Sequence, residues 1–127
     1  MRILGNSPLI LLMAICLSAA SLTPVSAYAG YEEGLEAYNN GDYAIALAEF
    51  RPLASQGHAD AQAYLGAMYK NGEGVLKDYI YAHMWYNIGS ANGADLAGES
   101  RDVVETLMTP SQIEQAQEMA RNCLNSN

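Results

Sequence analysis

From residue 30 onward, apolar side chains return every three to four positions, the period of a helix with one buried face. The pattern predicts six helices, at about 30–40, 42–56, 58–71, 77–91, 94–108 and 110–124. The second is expected to bury Tyr43, Ala46, Leu47, Phe50, Leu53 and Ala54, and the third Ala61, Leu65, Met68 and Tyr69. The fourth offers Tyr79, Ala82, Trp85, Tyr86 and Ile88, and the fifth Leu96, Ala97, Val103, Val104, Leu107 and Met108. The sixth offers Ile113, Ala116, Met119, Ala120 and Leu124. No stretch shows the strict alternation of a half-buried strand, so the expectation is all-α.

The breaks between these segments carry their own chemistry. Asn-Gly occurs at 40–41, 71–72 and 92–93, and Gln56-Gly57 marks a further stop. Glycine after a helix takes up the left-handed conformation that ends it at little steric cost. Asp42 and Asp78 stand just past two of these breaks, where a carboxylate oxygen is suited to cap free backbone N–H groups. Thr109-Pro110-Ser111-Gln112 has the order of a capping box with proline at the first helical position.

Two of the helical pairs repeat each other. Asp42-Tyr43-x-x-Ala46 returns as Asp78-Tyr79-x-x-Ala82 and Gly57 returns as Gly93, at a constant step of 36 residues (78 − 42, 82 − 46, 93 − 57). Helical solenoids repeat with units of roughly 34–47 residues. Small residues at Ala46, Ala61, Gly66 and Ala82 sit among bulky ones, the alternation that lets helix backbones approach while a ring or Leu fills the space beside them. About three stacked antiparallel helix hairpins follow from this pattern, each too small to bury its face alone.

The segment Ala61-x-x-x-Leu65-Gly66-x-x-Tyr69-x-x-Gly72-x-Gly74-Val75-x-x-Asp78-x-x-x-Ala82-x-x-Trp85-Tyr86, ending at Gly93, closely resembles a Sel1-like repeat, a relative of the tetratricopeptide repeats. Residues 35–57 resemble part of a preceding unit, with Ala37-Tyr38, Gly41-Asp42-Tyr43, Ala46, Pro52-Leu53-Ala54 and Gly57. Met108-Thr109-Pro110, Gln112-Ile113 and Ala116-Gln117 look like the closing helices after such units. The first unit lacks the Gly-x-Gly-Val loop, and the third has Arg101, Asp102 and Glu105 where the Leu-Gly-x-x-Tyr core would fall. The resemblance implies a short right-handed α-solenoid: a capping unit at about 30–57, a full repeat at 58–93 and C-terminal capping helices at 94–124. Its packing residues are then Ala46, Ala61, Leu65, Gly66, Tyr69, Gly72, Gly74, Ala82, Trp85 and Tyr86. It further implies a protein- or peptide-binding adaptor or regulator whose concave face is lined by the first helix of each hairpin. On that face the outward residues are Glu32, Glu36, Asn39, Asn40, Asp60, Ala63, Lys70, Asn71 and Glu99.

The beginning of the chain reads as an export signal: Arg2, then the apolar run Leu9–Ala20, then Val25-Ser26-Ala27 with small residues at a cleavage site. Cleavage after Ala27 leaves a domain of 28–127, and Ala29 is the other option. The apolar run is short of the about 20 residues that span a bilayer comfortably, so the processed chain is expected in the periplasm or outside the cell, without stable membrane insertion. Cys16 leaves with the signal, which makes Cys123 the single remaining cysteine. A monomer is then expected, with a Cys123-linked dimer the alternative. Asp and Glu number 14 against 6 Lys and Arg, a net charge of −8. That balance is the opposite of what nucleic-acid binding requires.

Candidate chemistry is sparse. His58 and His83 fall on different helices and lack Cys or carboxylate neighbours at ligand spacing, so no metal is expected. No Gly-x-Ser-x-Gly elbow or Ser-x-x-Lys pair occurs. Gly72-x-Gly74 lacks the Lys-Ser or Lys-Thr of a phosphate loop. No cofactor or catalytic residue is expected. Two readings stand beside the binding adaptor: a small hydrolase of β-lactam or cell-wall compounds, for which only family precedent speaks, and a self-associating structural module.

Overall fold

The computed structural model describes residues 24–126, with side chains from residue 30 onward. The expected export signal therefore lies almost wholly outside the described residues, and the two expected cleavage options fall in the opening turns of the first helix. Six helices and no strand occur among the described residues: α1 Pro24–Asn40, α2 Tyr43–Ser55, α3 Ala59–Asn71, α4 Tyr79–Ala91, α5 Ala97–Glu105 and α6 Pro110–Asn125. None is long and apolar enough to cross a membrane.

Local chemistry explains most boundaries. Asp78 caps α4, with the Ile80 and Tyr81 N–H groups donating to Oδ1 at 2.9 and 3.1 Å. Thr109 and Gln112 close the expected capping box on α6: the Gln112 N–H donates to Thr109 Oγ1 at 3.2 Å and the Thr109 N–H to Gln112 Oε1 at 2.9 Å. Asp42 departs from expectation. Its side chain makes no capping bond, because the backbone there (φ −83°, ψ 64°) does not aim it at the opening turn of α2. At α3 the cap is His58, whose Nδ1 accepts from the Ala61 N–H at 3.2 Å.

Each of the first two hairpins closes where a glycine on one helix meets an aromatic ring on the next. In α1–α2, a Cβ placed on Gly34 would lie 2.7 Å from Phe50 Cε1; in α3–α4, one on Gly66 would lie 2.7 Å from Tyr86 Cδ1. The rings are 36 residues apart (86 − 50), the sequence step, but the glycines only 32 (66 − 34). The long α3–α4 loop takes up the difference. It folds back onto the first hairpin: Tyr38 Oη donates to Glu73 Oε2 at 2.9 Å. Gly74, at φ 73°, packs so closely on Tyr43 that a Cβ would meet its carbonyl oxygen at 3.1 Å. Glycine is needed there both for the positive φ and for that approach.

Helix α4 is the hub. It packs on α3, α5 and α6, and it contributes Met84, Trp85 and Ile88 to the main core with Phe50, Leu65 and Met68. The chief support of α6 is α4, not α5, so the third pair does not close on itself as the first two do. A smaller apolar cluster of Ala82, Tyr86, Ala94, Ala97 and Val104 joins α4 to α5. Helix α5 is shorter than its apolar pattern suggests. The Ala94 N–H turns back to the Gly89 carbonyl at 2.9 Å, which delays the helix, and the N–H groups of 106–108 bond three residues back, which ends it early. Leu96, Val103 and Leu107, expected in the core, are 68%, 53% and 53% exposed, since α5 meets the fold on the Ala97 and Val104 side. Tyr43, Tyr69, Tyr79, Ile113 and Leu124 are half-buried rather than buried.

Candidate binding groove

A cavity of about 560 Å³ lies between α3 and the start of α5. Helix α3 provides one wall, with Asp60, Ala63, Tyr64 and Ala67 on successive turns; the α4–α5 turn and α5 provide the other, with Gly93 to Ala97 and Ser100. Tyr86 from α4 forms the floor. Volumes of roughly 300–1,000 Å³ accommodate small ligands or a few side chains. The groove exists because the residues facing it are small: Ala63, Ala67, Ala94 and Ala97 leave open what Leu or Met would fill.

The α3 wall is stiffened from behind. Tyr64 stacks on Phe50, with ring centroids 5.0 Å apart and 17° between planes, and meets Tyr38 edge-on at 5.0 Å. Tyr31 stacks on the capping His58 at 4.7 Å. The Tyr31 hydroxyl is pushed up to about 12, first by burial and then by the Asp60 carboxylate. Burial likewise raises the Tyr86 hydroxyl, while a hydrogen bond from Ser100 pulls the other way. At neutral pH both phenols are uncharged. The charged side chains of the lining are Asp60 and Asp95, both exposed, and neither forms an ion pair among the described residues.

The nine residues expected on one face do not line a single cavity. Asp60 and Ala63 line the groove. Glu32, Glu36, Asn39 and Asn40 lie along α1 and border, with Glu33 and Leu35, a separate depression. Lys70 and Asn71 sit at the far end of α3, where Asn71 Nδ2 donates to Glu73 Oε1 at 3.4 Å, and Glu99 is exposed on α5 outside the lining. Tyr86, expected as core, is both: 5% exposed, with that remainder facing the groove. Tyr64, Leu96 and Ser100 were not anticipated there. Tyr64 and Ser100 sit one helical turn from Asp60 and Leu96, and that spacing is the only signal of them in the chain. Of the packing residues, Ala46, Ala61, Leu65, Ala82 and Trp85 are at most 3% exposed, Gly66 is buried, and Tyr69 is half-buried. Gly72 ends α3 in the left-handed conformation at φ 71°.

Two polar groups missed by spacing are structural. Buried Gln62 donates through Nε2 to the Ala54 carbonyl at 2.9 Å and accepts from Asn92 Nδ2 at 2.9 Å, joining α2, α3 and the end of α4. His83, fully buried, does have a carboxylate partner, Glu105 Oε1 at 2.7 Å from Nε2, brought in by the fold from 22 residues away. Its Nδ1 has no hydrogen-bond partner. Neither histidine lines the groove, and among the described residues no three His, Cys, Asp or Glu are gathered as metal ligands. Cys123 is 6% exposed and disulfide-bonded. Comparison with protein-family models, curated proteins and solved structures found no match.

Proposed function

We propose that this chain is an exported, non-enzymatic Sel1-like repeat protein that holds a protein or peptide partner in the groove between α3 and α5, acting as an adaptor or regulator in a bacterial envelope. The observation that carries the reading is the groove itself, an open slot with an aromatic floor and alanine walls. A core has no use for such a gap, whereas a partner side chain fills it. The family assignment is supported by the work its motif residues do: Gly66 admits Tyr86, Gly72 and Gly74 shape the loop, and Asp78 caps α4. On this reading the hairpins stack as a right-handed solenoid, with the first helix of each lining the concave side. Export rests on the arginine, apolar run and small residues of the first 27 positions.

The test is capture from envelope extracts with the processed protein, beside an Ala67→Leu variant that fills the groove. A defined partner retained by the wild type and lost by the variant is the expected result. An identical capture list for both proteins, with the variant shown by circular dichroism to be folded, refutes groove binding. Amino-terminal sequencing of the protein recovered from producing cells checks export; an intact Met1 overturns it.

A further inference from the structure

The chemistry of the groove says what kind of segment it takes. The apolar and aromatic part of its lining is Tyr86, Tyr64, Leu96 and four alanines. Leu96, 68% exposed, extends that apolar surface outward. An apolar side chain of the partner therefore gains burial by entering. Around this slot the charge is of one sign. Asp60 stands on one wall and Asp95 on the other, no Lys or Arg lines the cavity, and the chain as a whole carries −8. An acidic segment is repelled at both walls; a basic one is attracted from a distance and again on contact.

Resting on the binding reading above, we infer that the groove selects a basic–apolar peptide segment: a Leu- or aromatic-sized side chain inserted over Tyr86, flanked by Lys or Arg whose cations meet Asp60 and Asp95. Neither carboxylate is engaged in an ion pair among the described residues. Both line the cavity between α3 and α5, one from each side. Exposed charge pairs of this kind contribute modestly, so selectivity comes from sign and position, and the apolar insertion supplies most of the affinity.

The experiment is selection from a random peptide library on the immobilised full-length protein, with Ala67→Leu as the counter-selection, followed by titration of single labelled peptides. Expected is enrichment of sequences with Leu, Phe or Trp next to Lys or Arg. Binding of such a peptide should weaken about 3-fold for each of Asp60→Asn and Asp95→Asn, and its dependence on salt should flatten in the double variant. Replacing the central apolar residue by Ser should abolish binding. Peptides of acidic or neutral composition that are lost on Ala67→Leu overturn the basic–apolar assignment while leaving the groove a binding site. Enrichment that ignores Ala67→Leu overturns both. Unchanged affinity in the double Asn variant, with the peptide class as expected, overturns the role of the two carboxylates.

Discussion

The Tyr86 ring lies directly over Gly66, so close that a methyl group at 66 would stand 2.7 Å from Cδ1 and 2.8 Å from Cε1. This one contact sets the separation of α3 and α4 and, because the same ring floors the groove, it also sets the depth of the candidate site. Gly89, one turn on from Tyr86, repeats the close approach toward the backbone of Ala59 and Ala63. The two helices are thus drawn together at two glycines facing in opposite directions.

Gly66→Ala is accordingly expected to destabilise the fold by about 1–3 kcal/mol, the cost of overpacking a buried contact. Urea unfolding of the single variants and of Gly66→Ala with Tyr86→Leu would measure the coupling. The double variant should lose less than the two single losses added together. Strict additivity would show that the ring and the glycine are not in the contact described.

How much of this was legible in the chain depends on what kind of force made it. Helix existence followed from periodicity, and the α4 and α6 starts followed from Asp78 and Thr109, since capping is a short-range interaction between neighbours in sequence. The 36-residue step located the hairpins because each repeats the same small residues and helix-ending glycine. What escaped was tertiary. Gln62 and His83 look like surface polar residues until the fold brings Asn92 and Glu105 to them. Nor does spacing signal that the His58 ring caps its own helix and stacks on Tyr31. Leu96, Val103 and Leu107 fit a helical period, but a period gives a face, not the presence of a neighbour to cover it. Of the groove lining, Asp60 and Ala63 came with the pattern of α3, whereas Leu96 and Ser100 depend on how α5 is set against it.

His58 does two jobs at once, and they are separable. His58→Ala removes the cap on α3 and the stack on Tyr31, for a loss of about 1–2 kcal/mol. His58→Asn keeps an oxygen for the Ala61 N–H but has no ring. Thermal unfolding should rank wild type first, Asn second and Ala last. Equal melting temperatures for Asn and Ala would mean that the cap contributes nothing.

Gln62 is 2% exposed, and its amide is matched on both sides, to a carbonyl and to an amide. Gln62→Leu keeps the volume and loses both bonds, at about 1 kcal/mol, since the Ala54 carbonyl retains the Gly57 N–H. Gln62→Glu is the sharper test. It puts a carboxylate against the Ala54 carbonyl with no cation at hand, so at neutral pH the loss should reach about 3 kcal/mol. Burial raises that carboxyl, so part of the stability should return on acidification to pH 5. Equal destabilisation at both pH values would argue that the site is wetter than its geometry indicates.

Alkaline pH probes the tyrosines collectively. Tyr31 is raised to about 12 and Tyr38, Tyr81 and Tyr86 are also raised, in each case first by burial; for Tyr38 the hydrogen bond to Glu73 comes next. A phenol with a folded value above its unfolded value of about 10 is held neutral by the fold. Below pH 10 both states are protonated and the stabilisation is complete. Above it the unfolded chain gives up protons that the folded chain retains, so stability falls as pH rises toward 12 and is lost through the folded value. Thermal unfolding between pH 8 and pH 12 should therefore show a decline that steepens past pH 10. Tyr38→Phe cannot ionise and has no bond to Glu73, so it should start lower at pH 8 and decline less steeply. Parallel curves for the two proteins would assign the decline to net charge alone and remove Tyr38 from the account.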